Sequence, residues 1–286
     1  MKASKHGVFD LPVISYFLLM IFAVYIQNIV SGFIDLPLGY VIPGYGTEIE
    51  VSGVKMMSAY GIGLAAGALL AALLFYLIFY KEFNGILRGK YLLKGLLMML
   101  PFLVFHWAGS IVSIFQFGAS NILIALLRST GPGFGEEVAF RGLGIANYLR
   151  KKNTDKGILT IFWLSSIVFG AMHITNMFAG APFHVALSQA AYATGCGMLF
   201  CAVYLRTGNL WTSIIGHTLV DFPEYCRGDL GSSAGIMLDV TTGDYITYAA
   251  GAFAAIWALY LIRRSRRQEI IELWDNKWKK IELPAG

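Results

Sequence analysis

Glu136, Glu137 and Arg141 lie inside a mainly apolar stretch, and two later apolar stretches carry His173 and the pair His217 and Asp221. A charged side chain near the centre of a bilayer costs about 2.5–3.5 kcal/mol on insertion scales, so a chain that keeps several there has a use for them as a group. Carboxylates and imidazoles together are the usual agents of proton transfer to and from a reacting molecule.

Spacing sorts these residues. Glu137 and Arg141 are four apart, share a helix face and can form a salt bridge, whereas Glu136 projects about 100° away and is free for other work. The same interval puts Phe169 beside His173 and His217 beside Asp221. At about 1.5 Å per residue, Glu136 lies about 20 Å from the charged end of its helix, His173 about 24 Å, His217 about 14 Å and Asp221 about 20 Å, so the four can converge. Three acids against Arg141 leave an excess of negative charge, which shared protons, protonated histidines or a divalent cation would offset.

The elements that must position them are membrane helices. The 286 residues are 57% hydrophobic and 14% charged, with a mean hydropathy of +0.63, outside the usage of soluble domains. Apolar runs long enough to cross a bilayer read at about 11–32, 55–80, 92–118, 120–150, 157–175, 184–206, 208–223 and 243–263. This predicts an all-α, multi-pass helical bundle of about eight transmembrane helices. Gly131-Pro132-Gly133 predicts a break in the fourth run, with a short helix near 120–129 and a longer one from about 133. Gly63, Gly67 and Ala71 form a small-residue stripe suited to close helix packing.

The net charge of +5 sits in alternate connections: Lys2 and Lys5; Lys81, Arg88, Lys90 and Lys94; Arg150, Lys151, Lys152 and Lys156; Arg206; and Arg263 to Arg267. The opposite connections hold Asp35, Glu48, Glu50, Glu224, Asp229 and Asp239. The positive-inside rule then predicts both termini in the cytoplasm, the first span uncleaved, and lipid rather than nucleic acid as partner. Residues 1–267 read as one bundle and 268–286 as a basic cytoplasmic tail, amphipathic or solvated. Cys196, Cys201 and Cys226 match no zinc motif and suit packing better than a disulfide framework. His106 and His184 read as satisfied packing histidines, and Arg206 and Asn209 as anchors at a tight turn.

Glu-Glu-xxx-Arg, Phe-xxx-His and His-xxx-Asp, in that order on separate membrane helices, resemble the CAAX-processing and bacteriocin-processing (CPBP, or Abi) family of intramembrane proteases. The resemblance covers about residues 120–225. It implies an eight-helix bundle that hydrolyses a peptide bond, with Glu136, His173, His217 and Asp221 as the catalytic set and Glu137, Arg141 and Phe169 in support. The third motif ends in Asn or Asp across that family; an acid stands here, where the prenyl-protein processing enzymes have an amide, so a strictly CAAX-type substrate does not follow.

Two versions of the chemistry are open. In the metal-free version, which the resemblance favours, Glu136 is the general base on a water held by His173, and His217, oriented by Asp221, holds that water or stabilises the oxyanion. In the metal version, His173, His217 and a carboxylate hold a divalent ion such as zinc. The partners expected are membrane lipid and a peptide or protein substrate, lipidated or not. Competing classes are a non-catalytic peptide-binding or immunity protein, and an ion- or proton-coupled transporter, which would show related halves or paired half-helices.

Overall fold

The computed structural model describes residues 11–51, 54–79, 90–117, 122–227 and 242–278. It is all-α apart from one short antiparallel hairpin, β1 (Thr47–Val51) and β2 (Val54–Ser58). The helices are α1 (Pro12–Val41), α2 (Ile62–Phe79), α3 (Leu92–Phe117) and α4 (Ile122–Glu136), which runs through a π-helical segment (Glu137–Leu143) into α5 (Gly144–Lys152). Then come α6 (Asp155–Met172), a 3₁₀ segment (His173–Ala179), α7 (Phe183–Thr207), α8 (Leu210–Cys226), α9 (Thr242–Leu261) and α10 (Arg264–Trp278).

Four helices are long and apolar enough to cross a membrane: α1, α3, α6 with its 3₁₀ extension, and α7; α9 with α10, bent by 74°, makes a fifth if counted as one span. The count by length and apolarity is therefore four to five among the described residues, rather than about eight. The shortfall has physical causes. The described apolar part of α2 is short, α8 has 17 residues, and the stretch from α4 to α5 is interrupted by charge and by the π segment. Large apolar side chains lie outward, among them Phe33 at 80%, Val104 at 64% and Ile256 at 69% exposure, as lipid-facing surfaces require.

The small-residue stripe does pack. A Cβ on Gly67 would come within 2.6 Å of the Gln27 Cα, and one on Gly63 within 2.8 Å of the Asp35 carboxyl group, so α2 lies directly against α1. Asp35, expected in an outer connection, is instead fully buried. Because α1 continues to Val41, Asp35 faces the start of α2, where it accepts from the backbone N–H groups of Gly63 and Leu64, the Ser31 hydroxyl and the Tyr45 hydroxyl. Four donors satisfy the carboxylate and two orphan N–H groups of α2 at once.

Gly131-Pro132-Gly133 does not break the helix. Pro132 sits inside α4, and its flanking glycines serve contact: a Cβ on Gly131 would meet the Gly61 backbone at 2.8 Å, and one on Gly133 the Thr218 hydroxyl. The irregularity comes later, at residues 137–143, every one of them buried.

Helix α10 ties α5, α6 and α7 together. Trp274 donates to the Leu205 carbonyl and Trp278 to the Ala146 carbonyl, Arg206 pairs with Glu269, and Arg267 with Asp155. The helix begins at Arg264, so the expected boundary at 267/268 falls inside it, and Ile270 and Trp274 are buried against the bundle. Burial pushes the Lys277 ammonium down to about 8. Asn209 is the N-cap of α8, and Gly208 takes the left-handed conformation (φ 58°) that the tight turn before it needs. The three cysteines are free and buried. Lys2, Lys5, Lys81, Arg88, Asp229, Asp239, Lys279 and Lys280 lie outside the described residues.

Candidate active site

The site is built where the π segment meets α6, α7 and α8. A π segment adds a residue to the helical turn and commonly accompanies function. Here it turns Glu137 and Arg141 fully inward, both with no exposed surface. Its backbone and that of the α4 turn before it are braced from other helices: the Gln27 amide of α1 donates to the Gly135 carbonyl, and the Ser165 hydroxyl of α6 donates to the Phe140 carbonyl.

Glu137 Oε1 accepts from Arg141 Nη1 at 2.9 Å and from His217 Nδ1 at 2.9 Å. A carboxylate only accepts, so Nδ1 of His217 carries the proton, and Nε2 faces the other way. There it lies 3.6 Å from Asp221 Oδ2 and 3.8 Å from Glu136 Oε2. Both separations are too long for a direct hydrogen bond, and of a size that a water or a substrate oxygen can bridge. Glu136 Oε2 has no hydrogen-bond partner within the protein, while the side chain as a whole is 33% exposed. The two adjacent glutamates thus differ: one is locked under the histidine and one borders open space.

Aromatic rings fix the imidazoles. Phe200 stacks on His217 with centroids 5.0 Å apart. Phe169 presents its edge to His217 at 5.8 Å and to His173 at 5.1 Å, so one ring joins the two histidines. The Arg141 guanidinium lies 3.9 Å from the Phe169 centroid, close enough for a cation–π contact in a desolvated place. His173 closes α6, and its Nδ1 donates to the Phe169 carbonyl at 3.0 Å, leaving Nε2 as an acceptor.

Glu136, His217 and Asp221 therefore come together, Glu137 and Arg141 lie beneath them, and His173 joins through Phe169. His106 and His184 do not join. His106 is fully buried between the Val220 carbonyl and the Tyr192 hydroxyl, and His184 is exposed. Sequence reading missed Gln27, Phe200 and Gly197. Gln27 had a signal, an amide pair with Asn28 in an apolar helix; Phe200 and Gly197 had none, since aromatics and glycines are common throughout the chain.

Gly197 yields the first prediction. A Cβ there would stand 2.9 Å from Arg141 Nη2 and 2.9 Å from the Phe169 ring. Gly197→Ala should cost about 1–3 kcal/mol through overpacking and displace the ring that spans the histidines. Thermal unfolding in detergent, read beside a cleavage assay, checks both effects.

One comparison bears on this arrangement. Residues 118–223 match the family Rce1-like. Its description is type II CAAX prenyl endopeptidase Rce1-like, and the match is consistent with the CPBP/CAAX intramembrane protease family. The Rce1-like segment runs from the approach to α4 into α8 and holds every residue of the constellation. With the apolar helices, it supports an integral membrane protein and a CAAX intramembrane endopeptidase acting on a peptide or protein. No curated protein and no solved structure matches the chain.

Proposed function

We propose that the protein is a glutamate-dependent intramembrane endopeptidase. Glu136 takes a proton from a water whose other hydrogen bonds to His173 Nε2, and the oxygen attacks the scissile carbonyl carbon. His217 Nε2, when it carries a proton, donates to the oxyanion, with Asp221 balancing its charge. Glu136 then returns the proton to the departing amine. Glu137 and Arg141 act through His217, as positioning residues.

What carries this reading is the geometry at His217: Nδ1 held by Glu137, and Nε2 turned toward both Glu136 and Asp221 within 4 Å. An oxygen between them would touch a base and a potential donor together. The substrate class that we infer is a membrane-associated peptide carrying a prenylated cysteine near its end, in line with the family description. Eight crossings with both termini in the cytoplasm are part of the same proposal. It is supported by long helical stretches near each expected run, with α4, the π segment and α5 taken as one.

A divalent ion on His173 and His217 would supply Lewis-acid activation of water. Among the described residues, no group of three or more His, Cys, Asp or Glu side chains has the arrangement to hold one, so no step is routed through it. The test uses purified protein in lipid nanodiscs with a farnesylated fluorogenic peptide, with and without a chelator. Cleavage that persists in chelator is expected; activity lost with chelator and restored by zinc would overturn the metal-free reading. No cleavage of any prenylated or plain peptide would count against the protease itself.

A further inference from the structure

Arg128 lies in α4, eight residues before Glu136, and is 9% exposed. Its guanidinium carbon sits 4.7 Å from the centre of the Tyr225 ring, and Nη1 makes a long contact of 3.4 Å to the Gly44 carbonyl. Nε and Nη2 are buried with no hydrogen-bond partner. A guanidinium stays charged in a protein, so an unpaired one in a lipid-shielded bundle is costly unless an anion joins it. Nε and Nη2 form one edge of the guanidinium, the edge that grips a carboxylate with two parallel hydrogen bonds.

Its position says which anion. Tyr225 is one turn beyond Asp221 on the same face of α8, so Arg128 lies along the seam between α4 and α8 that also holds Glu136, Asp221 and His217. Eight residues of helix separate Arg128 from Glu136 by about 12 Å along the axis, and three extended peptide residues span about 10 Å. We propose that Arg128 binds the C-terminal carboxylate of the substrate and so sets the cut about three residues from its end. The proposal rests on the protease reading and gives that reading a ruler.

The test compares two farnesylated fluorogenic peptides, identical except that one ends in a free carboxylate and the other in an amide. The acid should be cleaved with a kcat/KM about 10- to 100-fold higher, the range of one charge-assisted hydrogen-bonded pair. In Arg128→Gln this ratio should fall toward one, and Arg128→Lys should keep part of it. Mass spectrometry of peptides lengthened at the end should show the cut moving with the terminus.

Equal cleavage of acid and amide by the wild-type protein would overturn the proposal, whatever the folding of the variants. Binding of both peptides to Glu136→Gln separates this from the reading beneath it. If neither peptide is cleaved but the acid binds more tightly, the protease reading falls and the carboxylate site stands; equal binding sinks the site as well.

Discussion

Glu136→Gln should lower the cleavage rate by about 10²- to 10⁴-fold, the usual contribution of a general base, while leaving the thermal unfolding midpoint close to that of the parent. The side chain is one-third exposed and its Oε2 has no hydrogen-bond partner in the protein, so an amide of the same shape removes no native hydrogen bond. His217 keeps its bond to Glu137 in the variant. Substrate should therefore still bind, and the loss should fall on kcat rather than KM. A variant that retained wild-type turnover would transfer the role of base to Asp221, the other carboxylate facing His217 Nε2.

The largest effect on stability is expected at Glu137. Its carboxylate is the shared acceptor of Arg141 and His217, with no exposed surface. Glu137→Ala strands the guanidinium, and breaking a buried pair from one side costs about 3–5 kcal/mol. Joining Glu137→Leu with Arg141→Met removes both charges and should recover much of that stability, since apolar replacements of buried pairs are often neutral or better. It should not recover cleavage, because the imidazole has lost the acceptor that aims it. Unfolding and turnover measured on the single and double variants divide the two functions of the pair: restored activity in the double variant would mean that Glu137 serves only to balance Arg141.

Much of this could be read from residue order. Apolar runs located most helices to within a few residues, because lipid imposes length and hydropathy on each crossing. The four-residue intervals in Glu137/Arg141, Phe169/His173 and His217/Asp221 become contacts in the fold. Hydropathy was blind to contacts made between helices. Gly131-Pro132-Gly133 looks like a stop, yet α4 passes through it, because its glycines are needed where Gly61 and Thr218 approach. Asp35 looks like a loop acid until α2 turns its N-terminus toward it. Spacing pairs Glu137 with Arg141 alone; its bond to His217 spans 80 residues of sequence, and no local pattern encodes it. Arg128, one arginine in an apolar run, resembles an anchor in sequence; its character lies in buried nitrogens that lack hydrogen-bond partners.

The π segment has a consequence for how this protein can change over time. By adding a residue to one turn, it uncouples the angular phase of the helix before it, which faces α8, from that of the helix after it, which contacts α1 and α10. Deleting Gly142 or Leu143 would leave every motif intact and still swing one half of that rod against the other by about 100°. The length of this stretch is therefore constrained in its own right, apart from the identity of its buried residues.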